Sequence, residues 1–431
     1  MSLPKEINYT EQMNSLPANT QSKSIVISPA NLTTLVATKG GTAQFNLQNT
    51  GMIVPSSMYL RGKVNTTGNS NNTANMFQRG IPAYSLWSKS AVIVGSQVVE
   101  QINGYGRLAS ALVDLKLNPA QKSGLSVGFG LSNKDDQYLT DHLNGRESST
   151  NTSDEWSFAA PLPNLLSLSE KLLPASHMPS IRIELTMDNI ANMFSVDGAT
   201  NVVDEVTISS LELVYTEVQF GLDFEPTLLS LADDNGDVLI KSQSYQTATQ
   251  TLSAIAGMQT LTYNQRLSSV KSVLAYFDGA NASAGNGLYD SVDVTKQAGS
   301  YQFQIGGVYY PQSPIDTKRC IAAAFAELSN AFSPAHDYYS GNMAIAPLEF
   351  LTDDNDATTN VNPAKFMIGV NTERLDTNGV MLSGVSTALT PISLHVRCDA
   401  APTQECLAHL VTLFDAIIQV NLFNKSCSVK I

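Results

Sequence analysis

One order of segments runs twice along this chain, and that repeat limits the fold more than any single motif does. In the first half Trp156-Ser157-Phe158-Ala159 opens a strand. PLPNLLSLSEKLLPA follows as a turn and a short helix between Pro163 and Pro174, and IRIELTM, Ile181 to Met187, alternates strictly. VTISSLELVYTEVQFG, Val206 to Gly221, then closes the unit as a long strand. In the second half YQFQIGGVYYPQSPI and CIAAAFAELSNAF give strand, proline turn and helix, echoing WSFAAPLPNLLSLSEKLL. ISLHVRC, Ile392 to Cys398, echoes IRIELTM, and HLVTLFDAIIQVNLF echoes the closing strand. Two units of about 200 residues repeat in pattern rather than in letters, which predicts two similar β-rich domains in tandem.

Within each unit the strands are read from alternation and from turn residues. Residues 1–23 are polar and aperiodic and form an arm. From Ser24 a strand ends at Pro29, a turn follows at Gly40-Gly41, a strand alternates through Ala43, Phe45 and Leu47, and Val54 to Val64 is the next strand. The polar segments 65–80, 131–155, 278–300 and 335–362 read as exposed loops. FEPTLLSLADDNGDV links the halves, and KSQSYQTATQTLSAIAG and RLSSVKSVLAYF supply strands of the second half. The expected division is therefore an arm at 1–23, a first domain at 24–220, a linker at 221–240 and a second domain at 241–431.

Composition narrows the function classes. Charged residues make up 15% of the 431 residues, against about a quarter in an average soluble protein, so the surface is polar but weakly charged. Charge is also depleted from interface cores. The net charge of -13, with no basic run, disfavours direct nucleic-acid binding, which needs clustered Lys and Arg on phosphate. Cys320, Cys398, Cys406 and Cys427 have no metal-type spacing and are expected as free thiols, with a Cys398 to Cys406 disulfide as the lesser reading. Residues 1–24 lack the charged start and apolar middle of a secretory signal. Without such a signal, the seven N-x-S/T sequons at Asn8, Asn31, Asn65, Asn71, Asn151, Asn281 and Asn424 carry no information about glycans. The apolar stretch Cys406 to Phe423 is interrupted by His409, Asp415, Gln419 and Asn421. It is expected as two buried strands or one long bent one rather than as a membrane span.

The catalytic and ligand motifs in the sequence stand outside the contexts that their chemistry needs. Gly104, Gly106 and Ala109 spell G-x-G-x-x-A after a strand and before a helix, but no acidic residue follows at the spacing a dinucleotide site needs. A turn is the plainer reading. GLSVG, Gly124 to Gly128, matches G-x-S-x-G without a strand before Ser126 and a helix after it; VGFGLSN reads as a glycine-broken strand. DDNGD, Asp233 to Asp237, and DDND, Asp353 to Asp356, lack the bidentate Glu and flanking helices of a calcium hand. His395 lies on an alternating strand and is read as a core or interface residue. His177, His336 and His409 are scattered. Tyr309-Tyr310 and Tyr338-Tyr339 are read as packing at a turn or against a neighbouring subunit. No catalytic, cofactor-binding or metal residue is assigned, and no cofactor is expected.

The stretch Trp87 to Leu117 carries a family resemblance. Ser90 to Ile102 reads as one long strand, Asn103-Gly104 break it, Leu108, Leu112 and Leu115 space a short helix, and Pro119 stops it. Strand, then Val99-Glu100-Gln101-Ile102-Asn103-Gly104-Tyr105-Gly106-Arg107-Leu108, then helix resembles the first jelly roll of double jelly-roll major capsid proteins of icosahedral DNA viruses, the PRD1 and adenovirus lineage. The opening strand, F-x-L and P-x-S-x-Y-L agree with it. The resemblance implies an all-β fold of two tandem eight-stranded jelly rolls with short helices in the connections. It further implies a structural protein, not an enzyme, whose homotrimers make nearly hexagonal tiles of a virion shell. Its partners would be further copies, penton or minor capsid proteins, and an internal membrane or separate basic proteins between shell and genome. Synthesis would be in the host cytoplasm. The competing readings are a two-domain β-sandwich that binds carbohydrate or a receptor, which needs exposed aromatics and carboxylates on one loop set, and a β-sandwich glycosidase, which needs two convergent carboxylates.

Overall fold

The computed structural model describes residues 20–48, 50–68, 76–78, 81–130, 147–148, 154–196, 203–221, 224–278, 299–317, 319–332, 343–345, 350, 365–373, 382–399, 401–402 and 405–431. The first half carries β1 (Gln21–Ile27), β2 (Thr34–Val36), β3 (Thr42–Asn46), β4 (Met52–Gly68), β5 (Met76–Gln78), β6 (Trp87–Val94), β7 (Gln97–Asn103), β8 (Glu147–Ser148), β9 (Asp154–Pro161), β10 (Ile181–Met187), β11 (Phe194–Val196) and β12 (Val203–Gln219). The second half carries β13 (Asp237–Leu252), β14 (Gly257–Tyr263), β15 (Val270–Phe277), β16 (Ser300–Ile305), β17 (Val308–Asp316), β18 (Met367–Asn371), β19 (Ile392–Cys398), β20 (Cys406–Asn421) and β21 (Ser426–Lys430). Between them lie the helices α1 (Pro82–Ser85), α2 (Tyr105–Lys116), α3 (Pro119–Gly124), α4 (Ile190–Met193), α5 (Phe224–Ser230) and α6 (Ile321–Phe332).

The two halves share one topology. The first has sheets β1-β12-β4-β9 and β3-β10-β6-β7, and the second has β13-β20-β15-β18 and β14-β19-β16-β17. Numbered in chain order within each half, the eight strands read first-eighth-third-sixth and second-seventh-fourth-fifth both times. β2 and β21 are additions beside β12 and β20, and β11-β5-β8 form a small separate sheet. All the pairings are antiparallel, as in a jelly roll. Alternation drives the burial: Ile181, Ile183 and Leu185 on β10, and Ile392, Leu394 and Val396 on β19, turn inward and are buried. Ile208, Leu213 and Tyr215 of the facing sheet are buried in the same core.

Several local expectations change. Ser90 to Ile102 is a hairpin rather than one strand, because Gly95 takes a positive φ of 62° and Val94 pairs back onto Gln97. YQFQIGGVYY is likewise a hairpin turning at Gly306 and Gly307, with its prolines inside β17. The counterpart of β16-β17-α6 is therefore β6-β7-α2, not WSFAAPLPNLLSLSEKLL. That segment holds turns and no α-helix: Asn164 Oδ1 accepts from Ser167 N at 2.8 Å and Ser167 Oγ accepts from Asn164 N at 3.0 Å, closing a tight turn. Only a short 3-10 turn, Ala175–His177, follows.

Segment 65–80 is partly strand. β4 runs to Gly68 and its backbone pairs with both β12 and β9, so polar side chains there do not prevent a ladder; Met76–Gln78 pairs with β11 and β8. Asp278, expected at the start of a loop, is buried. Gly257–Tyr263 is a further strand, the first strand begins at Gln21 rather than Ser24, and the linking segment holds α5 before β13 starts at Asp237. Cys406–Asn421 is one strand, central in its sheet between β13 and β15, and its middle, Leu410 to Ala416, is buried on both faces. Residues 125–130 form turns rather than part of a glycine-broken strand, and the rest of VGFGLSN lies outside the described residues. Among the described residues no helix is long and apolar enough to cross a membrane. Most of the expected loops at 131–155, 278–300 and 335–362, the DDND run, His336 and Tyr338-Tyr339 lie outside the described residues.

Candidate functional site

The chemistry that the fold concentrates is a polar seam where the first half packs on the second. β7 and α2 on one side meet β13 and the ends of β15 and β20 on the other. Gly104, at a φ of 63°, lets the chain leave β7 and enter α2 directly. This puts Glu100, Arg107 and Asp114 on one side of the first half. Gly106 and Ala109, the later members of the G-x-G-x-x-A match, are buried inside this helix.

Three buried clusters tie the seam. Arg107 ion-pairs with Asp278, lies over the Tyr276 ring at 4.4 Å and comes within 3.2 Å of His409 Nε2. His409 reaches Asp278 at 3.1 Å and Thr249 Oγ1 at 3.1 Å. Burial and the Arg107 guanidinium push the imidazole down to about 3, so it is neutral. Asp114 accepts from Lys122 at 2.6 Å and faces Lys365 at 3.3 Å. Burial raises its pKa, but the two lysines outweigh that and hold the carboxyl below its ordinary range. Glu100 accepts from Leu165 N at 2.9 Å and from Ser244 Oγ, and burial pushes it up to about 7 against those two bonds.

Further bonds cross beside them. Ser242 Oγ donates to Leu165 O at 2.5 Å, Thr247 Oγ1 to Asn103 O at 2.8 Å, and Glu170 N to Lys241 O at 3.0 Å. Buried charges that are paired and hydrogen-bonded specify one arrangement of the two halves. None of Glu100, Arg107, Asp114 and Asp278 stood out in the sequence. The available signal was a charge inside an otherwise apolar run, as in LASALVDLKL.

Among the described residues the catalytic and ligand motifs do not come together into a site. GLSVG sits at the end of α3 and the turns after it. Asp233 Oδ1 accepts from Asn235 N at 3.0 Å and Asp237 N at 2.8 Å, and Asp237 is taken by Gln419 and Asn421. That run is a turn, and no group of three or more metal-ligating side chains occurs among the described residues. His395 bonds Thr260 Oγ1 at 2.9 Å and Gln304 Oε1 at 3.0 Å. Ser176, His177 and Glu225 line a cleft of about 400 Å³ at the end of β12. There His177 meets Ser176 Oγ at 3.0 Å, but Glu225 is exposed and stands 3.7 Å away, too far to orient the ring by a hydrogen bond. The four cysteines are free. The exposed aromatics among the described residues, Tyr309 and Phe423, lie on β17 and just after β20 rather than on one loop set.

No family model and no characterised protein matches the sequence. Solved structures do match in shape. The Faustovirus major capsid protein superposes with a TM-score of 0.65 at 9% identity, over 96% of this chain and 92% of that one. PBCV-1 VP54, fitted into a reconstruction of the virophage Sputnik, gives 0.60 at 10% identity, over 98% of both. The mavirus major capsid protein gives 0.55 at 11% identity, over 100% of this chain and 95% of that one. The chain has the double jelly-roll fold that these capsid proteins share.

Proposed function

We propose that this protein is a major capsid protein, a structural subunit that trimerises and tiles an icosahedral virion shell. The observation that supports this most is the extent of the match: two copies of one eight-strand order, joined by a polar seam, correspond over at least 92% of the length of capsid subunits. Two similar units in one chain suit a tile with near six-fold walls, because three chains bring six jelly rolls to one ring. The weakly charged surface suits side-by-side packing.

The shell partners follow from the same reading. They are other trimers, penton or minor capsid proteins at vertices and edges, and a membrane or separate basic proteins inside, since the net charge of -13 opposes nucleic acid. The arm at 1–23 would contact neighbours or that inner layer. The division at 24–220, 221–240 and 241–431 is kept as the domain proposal, with β1 and β13 beginning a few residues earlier. Light scattering of the purified chain, with negative-stain images, tests the function. Three copies per particle and six-sided outlines are expected; a stable monomer at micromolar concentration overturns the reading.

A further inference from the structure

The second jelly roll holds a buried group of reactive side chains that has no part in the seam, and it is built around an irregularity in one strand. β15 and β20 pair Val270 with Phe414 and then Ser272 with Leu413, so Lys271 is an extra residue. Such a bulge bends the strand and re-aims the side chain it carries. Neighbouring segments fix it in place: Val270 pairs with Val385, Lys271 O accepts from Thr372 N at 2.8 Å, and Val270 O accepts from Thr372 Oγ1 at 2.7 Å. The lysine side chain is nearly buried, and its Nζ lies 3.1 Å from Glu373 Oε1 and 4.0 Å from Asp415 Oδ1.

The Asp415 carboxyl, wholly buried, is held unevenly. Its Oδ2 accepts from Ser269 Oγ at 2.7 Å and from Ser383 N at 3.0 Å. Ser269 Oγ itself accepts from Gly384 N at 2.8 Å, which turns its proton toward Asp415. Oδ1, the oxygen nearer Lys271, accepts no hydrogen bond among the described residues. Glu373 touches Nζ on one side and is linked through Ser383 Oγ to Asp415 on the other. These are the parts of an acyl transfer: an amine, a carboxyl with one oxygen set between donors, and a second carboxylate placed to carry protons. An ion pair alone needs only the first two charges.

We propose that Lys271 and Asp415 join in an intrachain isopeptide bond once the chain has folded, with Glu373 as the proton carrier. Nζ first passes a proton by way of Glu373 to Asp415 Oδ1, leaving a neutral amine and a neutral acid. The amine then attacks Cγ; the N–C bond forms, and charge collects on Oδ2 between Ser383 N and Ser269 Oγ. Glu373 moves a second proton from the nitrogen to Oδ1, the Cγ–Oδ1 bond breaks, and one water leaves. Attack needs a separation of about 3–3.5 Å, which rotation about the last bonds of the lysine supplies. The gain is the removal of two buried charges, whose desolvation is costly. Asp415 is the acceptor although Glu373 is nearer, because among the described residues no backbone N–H donates to the Glu373 carboxylate. The bond ties β15 to β20 within one chain and is independent of the trimeric reading.

Mass spectrometry of the full chain, denatured just before measurement, tests this. The intact mass is expected to fall short of the sequence mass by one water, and peptide mapping should find a branched peptide in which Lys271 is joined to Asp415. Lys271→Arg keeps the positive charge without the attacking amine, and Glu373→Gln removes the proton carrier; both should show the full sequence mass, with circular dichroism reporting that they fold. The mass of the unmodified chain decides the matter even where a variant does not fold. A full sequence mass after long incubation of the folded protein overturns the inference. So does a water loss that persists in Lys271→Arg, which would arise elsewhere, as in succinimide closure at another aspartate. A branch to Glu373 instead of Asp415, or complete conversion in Glu373→Gln, overturns the roles assigned to these two carboxyls.

Discussion

Arg107, on the helix after the hairpin of the first jelly roll, forms a buried ion pair with Asp278, which follows the third strand of the second. The two residues are 171 positions apart in sequence, and the pair is enclosed by Tyr276 and His409. Removing one member of a buried pair leaves the other charged and unpaired, at a cost of about 3–5 kcal/mol. Arg107→Ala and Asp278→Asn should each lower the unfolding free energy measured by denaturant titration by an amount in that range. The double variant Arg107→Met with Asp278→Leu should recover part of the loss. Single variants that unfold like the unmodified chain would refute a structural role for the pair.

Two seam groups give opposite pH dependences. His409 is held near 3, below its unfolded value of about 6.5, so its contribution is complete above pH 6.5 and is lost as pH falls toward 3. Glu100 is raised to about 7, above an unfolded value near 4.3, so the folded state keeps the proton longer. Its contribution is complete below about pH 4 and is lost as pH rises to about 7, by up to ~3 kcal/mol. Glu100→Gln should remove the fall between pH 5 and pH 8 in urea midpoints and leave the acid side unchanged. Equal slopes in both proteins over that interval would show that Glu100 does not titrate there.

Gly384 packs where no side chain fits. A Cβ at this position would stand 2.2 Å from the Val270 backbone carbonyl oxygen. The loop must stay close, because Ser383 N donates to the buried Asp415 at 3.0 Å, Gly384 N donates to Ser269 Oγ at 2.8 Å, and Val385 pairs with Val270. Gly384→Ala should push the loop away and leave Asp415 short of donors, costing about 3 kcal/mol. Thermal unfolding measures this, and a loss under about 0.5 kcal/mol would mean that the loop shifts freely.

Nucleic acid should not bind the purified protein. With 25 basic against 38 acidic residues, phosphate contacts are outweighed by repulsion at neutral pH. A gel-shift titration at low salt should stay blank into the micromolar range. Submicromolar binding that weakens steeply with added salt would overturn this expectation and the inner layer inferred from it.

Alternation and turn residues, which are local properties, determined much of this protein. IRIELTM and ISLHVRC are strands because every second side chain must enter a core, and the helix after Gly104 follows from the spacing of Leu108, Leu112 and Leu115. The repeat of segment order was legible for the same reason. Which segments correspond was not, since the match of β6-β7-α2 to β16-β17-α6 depends on two hairpins whose register is set by pairing with β10 and β19. The seam was decided only by tertiary structure. Nothing local distinguishes Ser242, Ser244 and Glu100 from other polar residues on strands; they become bonding partners only because β7 packs on β13 and both sides lose water together. Burial turns such side chains into bonds between the halves, and burial is a property of partners more than 70 residues apart.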